Sequence, residues 1–141
     1  MKDSDKYQIR FSPNYESNLR ALIKTHYKKN KSKKNKLISF IKLLEEFYDE
    51  LEENPCDDKV ARKEPLSEKI VNKEFELRKK RWRNLPGLDG SAAYGRLIYL
   101  VDLKAKLVHL LFIYTHKEYS SPNSRPSNKE IENKILIAKS D

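Results

Sequence analysis

Two apolar runs near the C-terminal third, Leu97-Ile-Tyr-Leu-Val101 and Leu107-Val-His-Leu-Leu-Phe-Ile-Tyr114, constrain this chain most. Each is short, continuous and rich in branched and aromatic residues, the pattern of a strand buried on both faces. The charged link Leu103-Lys-Ala-Lys106 between them reads as a turn, so the pair forms a hairpin. Polar residues able to do chemistry sit at its outer ends, Arg96 at the start and His116, Lys117 and Tyr119 at the finish. Antiparallel pairing lays the beginning of one strand beside the end of the next, which brings Arg96 and His116 to one edge of a sheet.

The preceding chain supplies the rest of that sheet and its cover. Tyr7-Gln-Ile-Arg-Phe11 alternates like a half-buried strand, and Ser12-Pro13 is a helix start with Ser as N-cap. Tyr15, Leu19, Leu22, Ile23 and Tyr27 then recur at helical spacing. A second helix carries the stripe Leu37, Ile38, Ile41, Leu44, Phe47, Tyr48 and Leu51, closed by Pro55. The polar link Lys28–Lys36 makes these two an antiparallel helical hairpin. Asn54 to Asn72 has no clear period and reads as a long loop with a short helical turn near Leu66–Val71. Phe75 to Arg83 is a basic strand, Pro86–Gly90 a turn, and Ser120–Pro126 a loop. Ser127 with Glu130 makes a capping box for a last helix bearing Ile131, Ile135 and Ala138.

This order predicts an α+β domain spanning residues 1–141. An antiparallel sheet of three to four strands would carry the N-terminal helical hairpin on one face, with a short C-terminal helix after it. The first strand joins the sheet or lies at its edge, and the face away from the hairpin is expected to be open.

Composition narrows the partners. A chain of 141 residues is long enough for one core, and 36% charged residues demand an ionised surface. The net charge of +9 favours polyanions, acidic protein segments or anionic surfaces. A lone Cys56 allows no internal disulfide and no zinc spacing, which suits a reducing compartment. With a charged N-terminus and no apolar run near the roughly 20 residues a bilayer span needs, a cytoplasmic protein without a membrane partner is expected.

The basic strand is the clearest candidate interface. Arg78, Lys79, Lys80, Arg81 and Arg83 could meet phosphates, and Trp82 could stack on an unpaired base. Alternation puts Lys79, Arg81 and Arg83 on one face, with Arg78, Lys80 and Trp82 on the other. The competing reading is a solvated edge strand whose lysines discourage aggregation. His116 could transfer protons near neutral pH, with Lys117 beside it to stabilise an anionic transition state. An exposed histidine at a strand end is the alternative. His109 reads as a packed core residue, and His26 as a helix-terminal one. No P-loop, dinucleotide-binding glycine pattern, metal-ligand cluster or nucleophile elbow is present, so no cofactor is expected. Metal-free cleavage of RNA by its own 2′-hydroxyl fits what remains.

Together, the strand ending Phe11-Ser12, the helical hairpin, the basic strand and Tyr94-Gly-Arg96-Leu-Ile-Tyr99 resemble the RelE/ParE superfamily of bacterial toxins from toxin–antitoxin pairs. The similarity in element order covers nearly the whole chain and extends to the strand end His116-Lys117-Glu118-Tyr119. It implies a toxin that cleaves messenger RNA in the ribosome and is held inactive by an acidic antitoxin. In that resemblance Arg96 stabilises the phosphate in the transition state, and Arg81 or Arg83 adds cationic support. His116 is then the proton-transfer group, Lys117 a phosphate ligand and Tyr119 a stacking or orienting group. The ParE branch shares the fold but inhibits DNA gyrase. A non-catalytic nucleic-acid-binding domain is a further alternative.

Overall fold

The computed structural model describes residues 6–28, 34–66, 71–119 and 125–140. In chain order its elements are β1 (Gln8–Phe11), α1 (Pro13–His26), α2 (Lys34–Glu53), β2 (Arg62–Lys63), β3 (Phe75–Trp82), β4 (Gly95–Asp102), β5 (Leu107–Thr115) and α3 (Asn128–Lys139). The strands form one sheet in the order β1-β5-β4-β3-β2. β2 to β5 pair antiparallel, and β1 joins the edge parallel to β5. The expected α+β architecture is present, with a parallel edge strand and the two-residue β2 added to the meander. β2 lies inside the stretch read as loop, and two charged residues carry no periodicity that could reveal it.

Local chemistry starts both flanking helices as expected. Ser12 Oγ accepts from the Tyr15 amide at 3.1 Å, with Pro13 in the first turn. Ser127 Oγ accepts from the Glu130 amide, and the Glu130 carboxylate accepts from the Ser127 amide. α1 and α2 are clamped antiparallel at both ends. Tyr15 and Tyr48 share a 2.6 Å hydroxyl hydrogen bond, and Tyr27 stacks on Phe40 at 4.9 Å between ring centroids. Ile38, expected in the apolar stripe, is instead 59% exposed.

Two apolar clusters sandwich the sheet. Leu97, Tyr99, Val101 and Leu110 face the helical hairpin, together with Leu44, Phe47 and Leu51 of α2. Leu77, Ile98, Leu100 and Phe112 face the opposite way and meet Ile131, Ile135 and Ala138 of α3. The second face is therefore not open along its length, because α3 returns to cover much of it. The C-terminal helix needs that cover as much as the sheet does, since three of its residues have no other apolar surface to bury against.

The β4–β5 pairing contains a one-residue irregularity. Ile98 pairs with Phe112, but Tyr99 pairs with Leu110, leaving Leu111 as the extra residue of a bulge. Leu111 and Phe112 both join the α3-side cluster as a result. Beyond this point the alternation of β5 is inverted, so Tyr114 falls on the α3 side and Ile113 on the hairpin side.

The turn at Pro86–Gly90 forms as expected, with φ of +72° at Gly87 and +61° at Gly90. A 3-10 turn, Gly90–Ala93, leads into β4. Gly95 is required by close approach, because a Cβ there would lie 2.8 Å from the Leu85 side chain. The middle of Lys28–Lys36, most of the expected helical turn at Leu66–Val71 and most of the loop Ser120–Pro126 lie outside the described residues. No helix among the described residues is long and apolar enough to cross a membrane.

Candidate functional site

Register places three site-forming side chains in one row across the sheet. Arg81 pairs with Arg96, and Arg96 pairs with Tyr114. Their alternation puts all three on the α3 side, with Tyr114 buried in the cluster that α3 joins and Arg81 exposed. One step further out, the His116 amide donates to the Tyr94 carbonyl at 3.1 Å. The two rings stack with centroids 5.6 Å apart. Arg96 and His116 thus share an edge, as antiparallel pairing requires, and the bulge in β5 gives them the same face.

β5 ends at Thr115, and His116–Glu118 forms a 3-10 turn instead of continuing the strand. Glu118 holds that turn by accepting from the Thr115 amide and hydroxyl, each at 2.8 Å. The same carboxylate lies 3.0 Å from His26 Nε2 at the end of α1. His26 therefore anchors the turn that presents His116, a role that its helix-terminal position alone does not suggest. Lys117 is exposed, and Tyr119 packs edge-on against Tyr114 at 5.0 Å.

Glu64 organises the cations of this face. It follows β2 directly, and its amide donates to the Leu77 carbonyl at 2.8 Å. Its carboxylate is 2.8 Å from Lys79 Nζ, 3.1 Å from Arg125 Nη2 and 3.9 Å from Arg81 Nη2. Lys79 and Glu64 are both buried, so that pair is shielded from solvent. Arg81 is 46% exposed at its side chain and reaches outward. Arg96 donates through Nη1 to the carbonyls of Gly95 (2.7 Å) and Trp82 (3.2 Å), which fixes its guanidinium at the sheet end.

Burial lowers the Arg96 pKa and the neighbouring Arg81 lowers it further, although an arginine stays charged. Burial likewise pushes His116 below the ordinary histidine value, with Arg96, Lys79 and Arg81 adding to the shift. Its neutral imidazole is favoured near pH 7, which leaves it able to accept a proton.

The remaining residues of the basic strand face elsewhere. Arg78 is 3% exposed on the hairpin side. Its guanidinium donates to Glu76 at 2.9 Å, to Asp58 at 2.8 Å and to the Ala61 carbonyl at 2.6 Å, fastening the Asn54–Asn72 connection to the sheet. Trp82 packs edge-on against Phe47 at 5.4 Å, and Lys80 lies over both rings. Arg78, Lys80 and Trp82 are thus separated from Arg81 and Arg96 by the sheet, while Arg83 is exposed beyond its end. Cys56 lies on the hairpin side too, near Arg78, where burial and Glu76 push its thiol up to about 11. Among the described residues, no group of three or more His, Cys, Asp or Glu could hold a metal ion.

Glu64 and Arg125 were not legible as site residues, because both sit in stretches without periodic pattern. Tyr114 stands in the sequence only as the last residue of the second apolar run. No protein-family model and no curated protein matches this sequence.

Proposed function

We propose that this protein is an endoribonuclease of the toxin type, acting on messenger RNA at the ribosome through the face that carries Arg81, Arg96 and His116. The observation behind this reading is their juxtaposition: two arginines in one cross-strand row, beside a histidine whose pKa is lowered. An RNA phosphate seated against Arg81 and Arg96 brings its 2′-hydroxyl toward His116. The imidazole takes the hydroxyl proton as the O2′–P bond forms, and the arginines balance the charge on the phosphorane oxygens. The P–O5′ bond then breaks, giving a 2′,3′-cyclic phosphate, and the leaving 5′-oxygen takes a proton from solvent. Lys117 and Arg83, exposed at the same end, extend the contact along the backbone. Tyr119 and Tyr94 offer ring faces to neighbouring bases. An acidic antitoxin would neutralise this end of the molecule by covering it.

Expression of the protein is expected to arrest growth and to leave cut transcripts. Arg96→Ala should lose both, with cleavage falling by about 10²- to 10³-fold if the guanidinium acts on the transition state. Arg96→Lys keeps the charge but not the fork, and should recover only part of the rate. Normal growth with intact messenger RNA in cells making the wild-type protein would overturn the reading.

A non-catalytic inhibitor is the second reading. Arg96 Nη1 and Lys79 are already engaged by protein acceptors, which suits a fixed basic surface as well as a reaction centre. Growth arrest accompanied by DNA-damage signalling and uncut RNA would select a gyrase inhibitor. Binding without toxicity would select a plain nucleic-acid-binding domain.

A further inference from the structure

Among the described residues, two buried side-chain polar atoms have no hydrogen-bond partner, the Tyr114 hydroxyl and Arg125 Nε. Arg125 is bound to Glu64, and Tyr114 is the cross-strand neighbour of Arg96. Tyr114 is 3% exposed and stands beside Arg96 in the cross-strand row. Burial raises its phenol pKa, Glu64 raises it further, and Arg125 and Arg96 oppose them. Those three charged groups are therefore its immediate electrostatic surroundings. Arg125, just ahead of α3, is held at its two terminal nitrogens. Nη2 lies 3.1 Å from Glu64, and Nη1 donates to Asn128 Oδ1 at 2.9 Å.

Burying a polar group without a partner forfeits its hydration and returns nothing, so such atoms are rare and call for a reason. Arg125 Nε–H can only donate, and the Tyr114 phenol, able to donate or accept, has its proton free to give. What both atoms lack is thus an acceptor. Glu64 does not fill that role for them: its Oε2 is engaged with Lys79 and the far end of Arg125, and neither atom has a hydrogen-bond partner. Lys79, Arg125 and, at 3.9 Å, Arg81 surround this single carboxylate, so the local charge favours a further anion over a neutral acceptor.

We propose that Tyr114, Arg125 and Arg96 form an oxyanion subsite that takes a phosphate group, adjacent to the Arg81–Arg96 pair. Taking that phosphate to be the next one along an RNA strand rests on the endoribonuclease reading, whereas the subsite itself does not. The Arg125 side chain is 17% exposed, so the cluster borders solvent there. Two subsites along one row suit the repeating phosphates of a single strand better than an isolated anion.

The test titrates the full-length protein with inorganic phosphate and, in a second arm, with a short single-stranded RNA, reading the Arg125 Nε–H resonance by NMR. Tyr114→Phe is the diagnostic variant, since it removes an unsatisfied hydroxyl and should fold at least as well as the wild type. Phosphate is expected to shift the Arg125 resonance, and Tyr114→Phe to weaken phosphate binding about five- to tenfold with an undiminished melting temperature. An Arg125 resonance that does not respond, or equal phosphate affinity in wild type and Tyr114→Phe, would overturn the subsite. If phosphate binding depends on Tyr114 but RNA is neither bound nor cut, the subsite stands and the nuclease reading fails. If RNA is cut while Tyr114→Phe binds phosphate like the wild type, the subsite fails alone.

Discussion

His116 shows how much of a residue's chemistry comes from neighbours distant in sequence. Burial disfavours its charged form, and Arg96, Lys79 and Arg81 disfavour it further. The folded protein therefore binds the His116 proton less readily than the unfolded chain, whose histidine titrates near about 6.5. As pH falls from that value through the folded pKa, the unfolded state takes up the proton first, and stability declines across that window. Above it His116 adds no pH dependence. An NMR titration of the His116 ring should give a midpoint below about 6.5, and Arg96→Ala should move it upward. A midpoint unmoved by that substitution would show that Arg96 does not act on the ring. The candidates Arg81, Arg96 and His116 were readable because strand alternation and antiparallel pairing fix their edge. The carboxylate that gathers these cations was not, since Glu64 and its further partner Arg125 lie in irregular segments.

At the level of elements, α3 and the β5 bulge decide what the site can be. The capping box and the Ile131, Ile135, Ala138 spacing predict a helix, but nothing in them says which sheet face it covers. Packing on Leu77, Ile98, Leu100 and Phe112 settles that, and leaves Arg81 exposed and Arg96 half-buried at the sheet end. Ile135 is fully buried in this contact, so Ile135→Ala should cost roughly 2–5 kcal/mol in denaturant unfolding. A loss well under about 1 kcal/mol would mean that α3 does not dock as described. The bulge was equally hidden. Leu110-Leu111-Phe112-Ile113 is apolar at every position, so no register is preferred by the pattern alone. An unbroken register would turn Tyr114 and His116 toward the helical hairpin, away from Arg96.

For the whole molecule, a net charge of +9 becomes useful only where it is concentrated and exposed. Some cations are neutralised within the fold: Arg78 is bound to Asp58 and Glu76, and Lys79 to Glu64. Arg81, Arg83 and Lys117 are exposed at the site end. If single-stranded RNA binds there, log affinity should fall linearly with log salt, by about 0.7 for each phosphate neutralised. Arg83→Ala should weaken binding across sequences and flatten that slope by about 0.7, as measured by fluorescence anisotropy. A slope unchanged by the substitution would place the RNA elsewhere.

By itself the sequence determined the types of the longer elements, the caps of α1 and α3, the hairpin and the meeting of Arg96 with His116 at one edge. Those follow from periodicity and local hydrogen bonding, which act over a few residues. Tertiary structure alone decided the parallel seat of β1, the face covered by α3, the inverted alternation of β5 and the capture of three cations around Glu64. Each of these depends on contacts between segments far apart in the chain, where packing, not local propensity, selects the partner.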